Sequence, residues 1–201
     1  MPDKSLPSLL DRHWAESALA IGAVVIAAAS LWIAVATEHT NRQIVAASSW
    51  PFLEQYFSDA TYTGRKLLTV NVVNAGIGPA KVESVELFWH GKAYRSAREL
   101  LRDCCGYNPS LSQNPEFIVS TLDGWVMRPG ETIHLIWYPY PAGDPGPWKK
   151  FNSVLESRQA GAPPQLRICY CSAFNQCWIT KGHELNPPRV AACPVPKVVY
   201  Q

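Results

Sequence analysis

The chain has 201 residues, 47% of them hydrophobic, and a formal net charge of +2 at pH 7. That length accommodates one membrane anchor and one compact domain of roughly 150 residues. Its Lys and Arg residues never run beyond two in a row (Arg65-Lys66, Lys149-Lys150), so the basic stripe of a nucleic-acid binder is missing and nucleic acid is not an expected partner.

Residues 1–16 are a polar N-terminal segment. From Ser17 to Thr37, between Glu16 and Glu38, there is no charged side chain. As a helix this stretch rises ~31 Å, which matches the ~30 Å hydrocarbon core of a bilayer. Trp14 precedes it, where an amphipathic ring sits at headgroup level. Ala34-Val35-Ala36 also fits a leader-cleavage pattern, but the apolar run exceeds the ~7–15 residues of a typical leader. The sequence therefore predicts a retained single-pass signal anchor over 17–37. Lys4 and Arg12 lie before the span and only Arg42 soon after it, which puts the N-terminus in the cytoplasm. Six cysteines, all beyond the span, read as disulfides in an oxidising compartment. Both arguments place the downstream domain outside the cytoplasm.

Residues 38–50 read as a linker, ended by Pro51, because the residue before proline avoids helical backbone. From residue 51 to 201 the pattern is that of short strands. Candidates are Phe52–Phe57, Leu67–Val73, Val82–Trp89, Ala93–Tyr94, Phe117–Thr121, Trp125–Met127, Ile133–Trp137, Leu166–Tyr170 and Cys177–Thr180, separated by turn signals such as His90-Gly91-Lys92 and Arg128-Pro129-Gly130-Glu131. Ser96-Ala97-Arg98-Glu99 is a capping box that opens a short helix to Cys105. Pro147 starts a second, through Leu155. The fold class is mainly β: an Ig-like β-sandwich with short helical insertions, after one transmembrane helix.

Asn74-Ala75-Gly76-Ile77-Gly78-Pro79-Ala80 lies between two of these strands. Asn74, Gly76, Gly78 and Pro79 form a structural turn, its glycines expected to take positive φ; a phosphate loop would need more glycines and a lysine. This run resembles the N-x-G-x-G-P-A turn of a group of uncharacterised bacterial proteins with one N-terminal membrane helix and an Ig-like extracytoplasmic domain. Tyr170-Cys171-Ser172 and Cys177-Trp178 are similar to the Y-C-S…C-W hairpin of that group. The resemblance implies a bacterial inner-membrane protein with a periplasmic C-terminal domain. It implies no activity.

Cys171 and Cys177 flank a five-residue hairpin loop and are predicted to form a cross-strand disulfide. Cys104, Cys105, Cys169 and Cys193 then allow three pairings. The helix-end cysteines Cys104 and Cys105 are expected to reach Cys169 and Cys193, because a bond between adjacent cysteines is strained. An alternative is a copper or zinc site from Cys169, Cys171 and Cys177, since Cys169 and Cys171 share a strand face. His134 and His183 are conceivable further ligands that no spacing selects.

No G-x-S-x-G, H-E-x-x-H or C-x-x-C motif occurs, so no catalytic residue and no cofactor are predicted. The chain is expected to be a non-enzymatic, membrane-tethered module that binds a protein or envelope component. Candidate surfaces are the Pro-rich loop with Tyr138, Tyr140 and Trp148, and the hairpin tip Phe174-Asn175. The alternatives are metal or thiol handling at the Cys169/Cys171 face and an envelope enzyme without a recognisable motif.

Overall fold

The computed structural model describes residues 9–108, 118–157, 163–182 and 184–200. They fall into two compact units, 1–47 and 48–201. The first is helix α1 (Leu9–Ala47), 39 residues long, or ~58 Å at 1.5 Å per residue. It is long and apolar enough to cross a membrane, and Val24, Leu31 and Trp32 are among its exposed side chains. The linker expected over 38–50 is helical as far as Ala47. No Gly or Pro interrupts that stretch, and Arg42 Nε meets Glu38 Oε1 at 2.6 Å one turn away, a pairing that favours helix.

The second unit holds two antiparallel sheets. In the first, β1 (Leu53–Tyr62) pairs with β2 (Arg65–Asn74), β2 with β7 (Thr132–Pro139), and β7 with β5 (Ile118–Val119). In the second, the order is β10 (Arg189–Val190), β9 (Cys177–Lys181), β8 (Gln165–Cys171), β3 (Ala80–Trp89) and β4 (Lys92–Tyr94). A short β6 (Val126–Met127) pairs with the start of β3. The β1–β2 hairpin turns on Thr63-Gly64 and the β3–β4 hairpin on His90-Gly91, all four residues at positive φ. Such two-residue turns match the twist of the strands they join.

Alternation along the strands makes the core. Leu68, Val70 and Val72 of β2 and Leu135 of β7 cluster with Val85 and Leu87 of β3 and with Leu166 and Ile168 of β8. Two helices close it: α2 (Ala97–Cys105) buries Leu100 and Leu101, and α3 (Gly146–Glu156) buries Trp148, Phe151 and Leu155. The Ser96 hydroxyl accepts the Glu99 amide at 3.3 Å, and Glu99 accepts the Arg95 amide at 2.9 Å. Gly106, at φ 74°, ends α2. The predicted strand at Phe117–Thr121 is reduced to Ile118–Val119, Phe117 itself lying outside the described residues.

Candidate functional site

Asn74 ends β2 fully buried. Its side-chain oxygen accepts the amides of Phe52 (3.2 Å) and Gly76 (3.1 Å), and its side-chain nitrogen donates to the carbonyls of Gly78 (2.8 Å) and Met127 (3.2 Å). Two donors and two acceptors fill the capacity of the group. Its backbone completes the knot, donating to Glu131 O at 3.0 Å and accepting from Gly130 N at 2.8 Å. The glycine-rich turn and the Arg128–Glu131 turn are thus one structure. The positive φ expected of Gly76 and Gly78 is not found. Close approach is the reason for glycine instead: a Cβ on Gly76 would lie 2.5 Å from the Trp50 carbonyl oxygen, and one on Gly78 would overlap the Ser49 carbonyl. Pro79, half-buried, leads into β3. The amides of Ala75, Gly76, Ile77 and Gly78 are all used inside the knot, which leaves no cradle for a phosphate.

The Pro-rich loop divides its aromatics between core and surface. Trp148 is 3% exposed, and its indole N–H donates to the Tyr138 carbonyl at 3.0 Å. Tyr138 is buried as well, which pushes its hydroxyl up to about 12 and keeps it a neutral phenol. Tyr140 alone of the three is half-buried. It meets the edge of Trp148 at 5.0 Å, and its amide donates to the Lys66 carbonyl at 2.7 Å.

Over Tyr140 and Trp148 opens a cleft of about 810 Å³. One wall is Gly64, Arg65 and Lys66 at the β1–β2 hairpin; the other is Lys149, Asn152 and Glu156 of α3; Pro141 and Ala142 close one side. The volume lies within the range of ligand-binding clefts. Three cations face one carboxylate, Glu156, which accepts the Asn152 side-chain amide at 2.8 Å. A hollow of 400 Å³ shares Arg65 and Lys66 and continues past Tyr62, Ile118 and Trp137. Another, of 310 Å³, shares Asn152 and Glu156 and reaches Tyr56 and Phe57. The smaller hollow lies on the α3 side of the sheet with the cleft, whereas the larger, lined by Leu67, Trp137 and Pro139, opens on the opposite face of β2 and β7.

At the β8–β9 tip, Phe174 is half exposed, and Asn175 accepts the Lys81 ammonium at 2.6 Å. His134 lies away from the cysteines on β7. Its Nδ1 faces Asn71 Oδ1 at 2.5 Å, and the Asn71 nitrogen already donates to Thr69, so the ring nitrogen is the donor. His183 lies outside the described residues.

Cys171 and Cys177 are register partners of β8 and β9, with Cα atoms 4.0 Å apart, and are bonded. The other pairing differs from expectation. Cys104 bonds Cys105, and Cys169 bonds Cys193. The strand order explains it: α2 follows β4 at one edge of the sheet, whereas Cys169 lies on β8, next to the β9–β10 edge from which the Cys193 segment continues. The sulfurs that converge are also not the expected trio. Those of Cys171, Cys177 and Cys193 lie within 4.8 Å of one another. All of them are in disulfides, so they can ligate a soft metal only after reduction, because the thiolate is the ligand.

Arg65, Lys66 and Lys149, the cations of the cleft, were not predicted as site residues. Two adjacent basic pairs were visible in the chain, but their convergence depends on α3 packing beside the β1–β2 hairpin. Compared with protein-family models, curated proteins and solved structures, the chain matches none.

Proposed function

We propose that this protein is a non-enzymatic recognition module: an Ig-like β-sandwich held in the periplasm by an uncleaved N-terminal helix in a bacterial inner membrane. The sandwich reading is supported by the two antiparallel sheets and their strand number. Location is supported by the apolar helix and by the cysteines beyond it, each in a disulfide. The single observation that carries the function is the cleft between the β1–β2 hairpin and α3. It has an aromatic floor of Tyr140 and Trp148 and a rim of Arg65, Lys66 and Lys149.

The occupant that best fits is an extended, acidic segment of an envelope protein. A neighbouring hollow reaches from Asn152 and Glu156 of the cleft to Tyr56 and Phe57, which suits an extended chain better than a compact metabolite. The excess of cations favours carboxylates and disfavours basic chains.

Full-length protein in detergent, incubated with envelope extract and cross-linked, tests this reading. A protein partner should be captured by the wild type and lost by Lys66→Glu with Lys149→Glu, a variant whose changes lie on exposed side chains. Capture should also weaken with added salt. Equal capture by both forms, or capture of glycan in place of protein, contradicts the assignment.

A further inference from the structure

The two bridges on the β8–β9 face are neighbours. Cys171 Sγ and Cys193 Sγ, which belong to different disulfides, lie 3.9 Å apart. A sulfur at that range is within reach of its neighbour once it becomes a thiolate. The three clustered sulfurs depart from a straight line, and turning the Cys193 side chain brings it into line with the Cys171–Cys177 bond. Access is unequal: Cys169, Cys171 and Cys177 are buried at 2%, 5% and 5% exposure, whereas Cys193 is half-buried. An external thiol therefore meets Cys193 first.

The juxtaposition does not depend on the Cys169–Cys193 bond. Before Cys193, β10 pairs with β9, Val190 standing opposite Cys177, and Ile179 N donates to Pro188 O at 3.1 Å. After it, Lys197 N donates to Glu86 Oε1 at 3.3 Å, and Tyr200, 1% exposed, donates its amide to Val85 O at 3.2 Å. The segment is tied on both sides of the cysteine. With the bridge open, these ties still hold the segment that carries Cys193 on the β8–β9 side of the sheet.

We propose that these four cysteines form a thiol–disulfide relay, in which an electron pair delivered by an external dithiol at Cys193 is passed to the buried Cys171–Cys177 bridge. A thiolate of the dithiol attacks Cys193 Sγ; the Cys169–Cys193 bond breaks and Cys169 leaves as a thiolate. The second thiol of the reductant attacks its own partner sulfur, closing a cyclic disulfide and releasing Cys193 as a thiolate. Cys193 attacks Cys171 Sγ; a Cys171–Cys193 bond forms, and Cys177 leaves and takes up a proton. Cys169 then attacks Cys193, restoring the first bridge and releasing Cys171, which is protonated. One dithiol has been oxidised and the Cys171–Cys177 bridge reduced. Each step is an ordinary exchange through a mixed disulfide. The relay is independent of the cleft and needs no partner bound there.

Full-length protein in detergent is mixed anaerobically with excess dithiothreitol, quenched with acid at intervals, alkylated and mapped by mass spectrometry. A Cys171–Cys193 cross-linked peptide should appear transiently before Cys171 and Cys177 become labelled. In Cys169→Ser with Cys193→Ser, reduction of Cys171–Cys177 should slow at least about tenfold, a small part of the advantage that an intramolecular nucleophile holds. The mapping on wild type needs no variant and stands if the double substitution fails to fold. Absence of the Cys171–Cys193 peptide at every time point, or an unchanged rate in a folded variant, overturns the relay.

Discussion

Asn74 holds together four backbone groups, two of its own turn and two distant in sequence: the amide of Gly76 and the carbonyl of Gly78, the amide of Phe52 before β1, and the carbonyl of Met127. Removing the side chain leaves them in a buried site without their partner. At 1–3 kcal/mol for each group left unsatisfied, partly relieved by relaxation, Asn74→Ala should cost about 3 kcal/mol or more. Asn74→Asp keeps the acceptor but loses both donors, and sets a carboxylate against the carbonyls of Gly78 and Met127. It should be at least as destabilising at pH 7, read as a lower urea midpoint at unchanged slope; wild-type stability in the Asp variant would contradict this account of the knot. That a turn lies here was legible in the Asn, Gly and Pro residues. Why the glycines are needed was not. Tolerance of positive φ and intolerance of a Cβ both select glycine, and only the approach of Ser49 and Trp50 separates them.

At the scale of elements, the signals that survived folding were local ones. The β8–β9 hairpin and its Cys171–Cys177 bridge could be read because both cysteines border one short loop. The two helices could be read from a capping box and a first-turn proline. The Cys169–Cys193 bridge could not, since it depends on which sheet edge the C-terminal segment follows, and the two-residue β10 has no periodicity to detect. The bridges should differ in weight. Cys171–Cys177 spans 6 residues and Cys169–Cys193 spans 24. Loop-closure entropy then gives about 2 kcal/mol for the first and about 3.5 kcal/mol for the second. Urea unfolding of Cys171→Ser/Cys177→Ser and of Cys169→Ser/Cys193→Ser should show that order. A larger loss in the first pair would mean that the short bridge does more than close its loop.

For the whole molecule, the division into one apolar helix and a two-sheet domain was visible in composition and alternation, although α1 runs well past the uncharged stretch at both ends. The cleft was only half visible. Its aromatic loop stood out, but its cations come from a hairpin and a helix far apart in the chain, and a sequence does not show that such elements face each other. Every part of the functional proposal requires the domain to stand on the oxidising side of the membrane: the three disulfides persist there, and an envelope partner is met there. A fluorescent protein that matures only in the cytoplasm, fused after Gln201 and expressed with the intact anchor in a bacterium, measures this directly. The fusion should be present in the membrane fraction and dark, whereas a bright fusion would place the domain in the cytoplasm and contradict the account.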